Sequence, residues 1–115
     1  MSTQERRKAP RIDVDFVTVE VCGVQSTPEL AEICPIINLS QNGMRFKSDR
    51  MFPVNQLLHL TFILPESIVI IRVTAEVIHY KELEHRKHSY GVQYVNIGVS
   101  EQKLINHFVQ KKLNS

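Results

Sequence analysis

The sequence has no tryptophan, two cysteines and four glycines in 115 residues. Cys22 and Cys34 stand far apart with no companion histidine motif, so neither a disulfide scaffold nor a zinc site is expected, and a reducing compartment suits the chain. A long uninterrupted apolar run is also missing. The best candidate, I-V-I-I-R-V-T-A-E-V-I from Ile68, is broken by Arg72 and Glu76 and cannot span a membrane. The N-terminus is polar and carries no secretory signal, which places the chain in the cytoplasm. No serine–histidine pair, paired carboxylates or phosphate-binding loop is recognisable, so catalysis is not expected. A formal net charge of +2 says little by itself about partners.

What is present is ordinary in bulk and uneven in detail. Apolar residues make up 43% and charged residues 23%, the balance of one globular domain able to bury roughly two-thirds of its unfolded surface. Residues 5–11, E-R-R-K-A-P-R, hold four basic groups and one acid, whereas the remainder is close to neutral. An anionic partner should therefore meet the N-terminus. Residues 1–11 carry no hydrophobic pattern and are expected to form a flexible arm ahead of a single domain over 12–115.

Short segments rich in Val, Ile, Phe and Thr follow: Ile12–Cys22, Ile33–Leu39, Met44–Lys47, Gln56–Leu64, Ile68–Tyr80 and Ser89–Val95. Gln56–Leu64 alternates well, with Leu58, Leu60, Phe62 and Leu64 on one face. In Ile68–Tyr80 the residues Val69, Ile71, Val73, Ala75 and Val77 face inwards. Turn signals at Asn42-Gly43, Pro53-Val54-Asn55 and Pro65-Glu66-Ser67 make this an antiparallel sheet or barrel. The period then changes. Ser100 suits an N-cap, and Leu104, Ile105, Phe108, Val109 and Leu113 follow helical spacing, which predicts a helix over 100–113. Glu82, Glu84, His85 and His88 carry metal-ligand chemistry, but Lys81, Arg86 and Lys87 run among them and a solvated hairpin loop is the reading.

Two motifs remain. Arg7 and Arg11 stand four apart in R-K-A-P-R, with Arg6 and Lys8 adjacent. A solvated basic tail explains them; so does a grip on phosphate or on the O6 and N7 edge of guanine, which the planar guanidinium makes bidentately. N-L-S-Q-N-G, residues 38–43, is either a polar strand end running into a hairpin or a ligand site. On a strand, Asn38 and Ser40 point to one face and offer an amide and a hydroxyl together. Gly43 permits a positive φ and a close backbone approach.

An Arg-x-x-x-Arg arm, a strand, and Asn-x-Ser-x-x-Gly about thirty residues on resemble the PilZ domain family, bacterial receptors for cyclic di-GMP. P-V-N-Q-L-L-H-L-T-F-I-L-P resembles the family's proline-led strand, with Asn55 where glycine is usual, and Asn tolerates the left-handed conformation. Y-G-V-Q-Y-V-N-I resembles its late strand. The likeness spans roughly residues 5–110. It implies an all-β fold, a six-stranded antiparallel β-barrel with a C-terminal α-helix, and an arm that wraps over bound ligand. Carried over by position, Arg7 and Arg11 bind guanine edges and phosphates, and Arg6 adds a phosphate contact. Asn38 and Ser40 bond guanine or the nearby backbone, and Gly43 shapes the turn beneath.

The resemblance thus implies a cyclic di-GMP receptor that signals to a protein partner when its arm becomes ordered, with no metal or further cofactor. Two other readings stay open: a PilZ-like interaction adaptor that does not bind nucleotide, and non-specific, salt-sensitive nucleic-acid binding through the basic arm.

Overall fold

Residues whose side chains alternate between apolar and polar build strands with one buried face. In the computed structural model, which describes residues 9–115, seven such strands and one helix follow in order. They are β1 (Ile12–Asp13), β2 (Thr18–Gly23), β3 (Glu32–Leu39), β4 (Gly43–Ser48), β5 (Leu57–Ile63), β6 (Ile70–Glu82), β7 (His88–Asn96) and α1 (Val99–Leu113). Six strands close on themselves in the circuit β3–β2–β5–β6–β7–β4 and back to β3, while β1 adds a short antiparallel pairing to β3. Closure leaves no long open edge to template aggregation. The all-β barrel with a C-terminal helix implied by the resemblance is the fold observed.

The inward faces hold the core. Leu58, Leu60, Phe62 and Leu64 are buried as their alternation predicts, and so are Ile71, Val73, Ala75 and Val77. Val69 is not: it is 44% exposed, because β6 starts one residue later, after the turn at Pro65–Ser67. The stretch expected as one strand from Ile12 to Cys22 is two. Phe16 sits between them with φ of 62° and its ring in solvent. A non-glycine residue in that region breaks strand geometry. Asn55 adopts φ of 79°, the left-handed conformation its side chain tolerates. The K-E-L-E-H-R-K-H stretch is the β6–β7 hairpin; Glu82 and His88 are paired across it, and Glu84, His85 and Arg86 form its exposed tip. Both cysteines are free thiols; burial, with Glu32 nearby, pushes Cys34 up to about 12.

Helix α1 begins at Val99 with Gly98 at the N-cap, so Ser100 lies inside the first turn instead of capping it. Ile105 and Val109, four apart, are fully buried, Leu104 and Phe108 flank them, and Leu113 is 49% exposed near the frayed end. Lys111 and Lys112 occupy the last turn, where the helix dipole favours cations. The helix packs on β1. Near its start, Gln102 Nε2 donates to the Gln41 carbonyl at 3.2 Å and to Asn42 Oδ1 at 3.3 Å. The loop between β3 and β4 is thereby held from outside the barrel.

Candidate functional site

The run N-L-S-Q-N-G spans the end of β3, a three-residue loop and the first residue of β4. Asn38 lies on β3, paired with Asp13 of β1 on one side and Arg45 of β4 on the other. Its Oδ1 is buried and has no hydrogen-bond partner among the described residues. A buried carbonyl oxygen left unmatched costs about 1–3 kcal/mol, so it marks a place where a donor belongs.

Ser40 does not share a strand face with Asn38. The strand ends at Leu39, and Ser40 turns into the loop, where it is 2% exposed. Its hydroxyl donates to the Gly43 carbonyl at 3.4 Å and accepts from the Asn42 amide at 3.1 Å. The Ser40 amide donates to the same carbonyl at 2.9 Å, closing the loop. Ser40 thus sets the loop that follows Asn38. Of the two uses expected of Gly43, a positive φ and a close backbone approach, the second is the one found. Its φ is not positive; a Cβ there would lie 2.2 Å from the Val92 carbonyl oxygen of β7. Only a residue without a side chain lets β4 and β7 approach this closely.

Arg11 is exposed at the entrance to β1. Arg6 and Arg7 lie outside the described residues. Arg11's charge reaches two groups of the barrel: it lowers the pKa of Arg45, after burial as the larger cause, and it opposes the upward push that burial exerts on Tyr94. The Tyr94 hydroxyl is the second buried side-chain polar atom without a partner among the described residues. Tyr94 borders the loop that follows Asn38, its amide donating to the Asn42 carbonyl at 2.9 Å.

The sequence reading missed three residues beside this site. Across the outer wall, strand pairing sets Asp13, Asn38, Arg45, Gly91 and His79 in one row. Arg45 Nη1 donates to Ser89 Oγ at 2.7 Å, and Nη2 meets His79 Nδ1 at 2.9 Å. A guanidinium only donates, so Nδ1 is the acceptor and His79 is neutral with its proton on Nε2. The next row sets Lys47, Ser89 and Lys81 together, and the row on the other side sets Gly43, Gln93 and Glu76. The alternation Met44, Arg45, Phe46, Lys47 carried the signal for an outward cationic pair. The facing residues, forty or so positions away, did not reveal themselves until the strands were paired.

The barrel is a closed antiparallel one, with a buried amide oxygen that has no partner among the described residues and Arg45 beside it on the outer wall. The chain belongs to the PilZ domain family, whose sequence profile matches residues 5–111. No curated protein matches it in sequence. Among solved structures it is similar to the inhibitor of motility MotI/DgrA of Bacillus subtilis, with 22% identity and a TM-score of 0.79, over 96% of this chain and 53% of that one. It is also similar to the PilZ domain of YcgR from Escherichia coli with cyclic di-GMP, at 11% identity and TM-score 0.70, over 92% of this chain and 90% of that one. A third is the MrkH–cyclic di-GMP complex of K. pneumonia, at 14% identity and TM-score 0.75, over 94% and 52%. The chain spans about half the length of MotI and of MrkH.

Proposed function

We propose that the chain is a receptor for cyclic di-GMP and no enzyme, and that it passes the second-messenger level to a protein partner in the bacterial cytoplasm. The observation that carries the reading is the unmatched Asn38 Oδ1, set beside Arg45 and the strand that continues the Arg-x-x-x-Arg arm. Family membership and the ligand held by the similar YcgR and MrkH structures support the choice of nucleotide.

In this reading residues 1–11 are the arm and 12–115 the barrel with its helix. Arg7 and Arg11 take guanine edges and phosphates, with Arg6 adding a phosphate contact. Asn38 receives a guanine N–H at its free oxygen. Ser40 and Gly43 act from beneath, Ser40 by fixing the loop and Gly43 by letting β4 lie close to β7. Fixing the arm costs about 1–2 kcal/mol per residue in backbone entropy. Charge-assisted hydrogen bonds contribute about 1.5–3 kcal/mol each, so several arginine contacts are needed. The closed arm then offers a partner a surface that the free protein lacks.

Calorimetry with cyclic di-GMP, cyclic di-AMP and GMP tests this. Cyclic di-GMP should bind best, and Arg7→Lys or Arg11→Lys should each weaken it about tenfold or more, since charge is kept and the bidentate fork is lost. Equal binding by the lysine variants and the native chain would overturn the assignment.

A further inference from the structure

We infer that Arg45 is a further ligand residue of the nucleotide site, lying outside both sequence motifs, and that His79 is the residue that positions it. The inference rests on the cyclic di-GMP reading and extends its footprint from β3 across β4 and β7 to β6.

Four observations converge on Arg45. It is the strand partner of Asn38, whose amide oxygen is buried with no donor among the described residues. Its guanidinium lies over Gly91, where an added Cβ would meet Arg45 Nη2 at 3.0 Å and His79 Cβ at 3.3 Å. The wall beneath it is therefore bare backbone, and no side chain at position 91 keeps the guanidinium away from it. Its two acceptors, Ser89 Oγ and His79 Nδ1, are both uncharged. None of the ion pairs among the described residues includes Arg45.

A partly buried arginine whose acceptors are both neutral, placed where the charge of a second arginine reaches it, is an unfavourable arrangement by itself. A dianionic ligand between Arg11 and Arg45 reverses that balance. Two of the guanidinium's five N–H donors are in use, which leaves three for a phosphate oxygen or for paired acceptors on a base. Lys47 and Lys81, flanking Ser89 in the next row, add to the positive field on the same face. Asp13 and Glu76 stand at the margins of this surface, paired with Asn38 and Gln93 respectively.

His79 acts through Arg45. As a neutral acceptor it fixes the plane of the guanidinium, and a side chain with an acceptor at a similar reach should replace it. Gln offers that acceptor; Phe keeps the bulk and removes it.

Titration calorimetry with cyclic di-GMP on the full chain, run beside thermal melts, tests both roles. Arg45→Gln should weaken binding about ten- to a hundredfold, the loss of one or more charge-assisted bonds. Arg45→Lys should weaken it nearly as much. His79→Phe should weaken it several-fold while His79→Gln stays near the native value. Gly91→Ala, which crowds the guanidinium, should also weaken binding with little change in melting temperature. Arg11→Lys serves as the comparison. If it loses affinity while Arg45→Gln and Arg45→Lys bind like the native chain, the role given to Arg45 is wrong and the receptor reading stands. If His79→Phe binds like the native chain, the positioning role is wrong. If the native chain does not bind cyclic di-GMP, the receptor reading falls and takes this inference with it.

Discussion

Gly43 shows how much one missing side chain can determine. Its backbone sits where β4, β7 and the loop from Ser40 converge, and the Val92 carbonyl oxygen occupies the space a Cβ would need. Gly43→Ala must therefore force the two strands apart. It should destabilise the fold by about 1–3 kcal/mol, the usual cost of overpacking, read as a lower denaturant midpoint at unchanged slope. A substitution of the same kind at an open glycine would be almost silent. The residue pattern suggested both a positive φ and a close backbone approach at Gly43, and only the approach is found. The two could not be separated beforehand, because a glycine required by a neighbouring strand and a glycine required by its own dihedral look the same in one dimension. Ser40 teaches the same lesson. Period-two counting put it beside Asn38, but the strand ends at Leu39, and the hydroxyl is spent inside the loop.

Among the elements, α1 stands outside the barrel circuit and packs on β1. Two fully buried residues, Ile105 and Val109, anchor it, and Gln102 ties it to the loop that follows Asn38. Gln102→Ala removes both of those bonds, leaves the Gln41 carbonyl without this donor and should cost about 1 kcal/mol. Amide exchange at residues 40–43 should speed up more than exchange in β5, which the helix clamp does not touch; equal changes in both would contradict the clamp. The helix was legible from its apolar spacing, though its cap was not. Serine at position 100 is a good capping residue, yet the N-cap lies two positions earlier, at Gly98. Likewise the strand between Ile12 and Cys22 read as continuous because Phe16 has high strand propensity. Its left-handed backbone falls where the pairing with β3 shifts register between β1 and β2, and this overrides that preference.

For the whole molecule, closure of six strands does two jobs. It buries one apolar core, and it brings positions far apart in sequence into rows across an outer wall. The barrel was legible from alternation, turn residues and a recognisable family pattern. The arm's positive charge was legible from composition. The row from Asp13 to His79 was not, because it exists only through the pairing of β1, β3, β4, β7 and β6. The proposed function sets its ligand on that row, against Asn38 and Arg45. The most direct test is hydrogen exchange of the native chain with and without saturating cyclic di-GMP. The account predicts strong new protection at residues 5–13 and around 38–45, with the inner strands β5 and β6 unchanged at Leu58–Phe62 and Ile71–Ala75. Protection confined to any other surface, or none at all in residues 5–13 when ligand is bound, would contradict it.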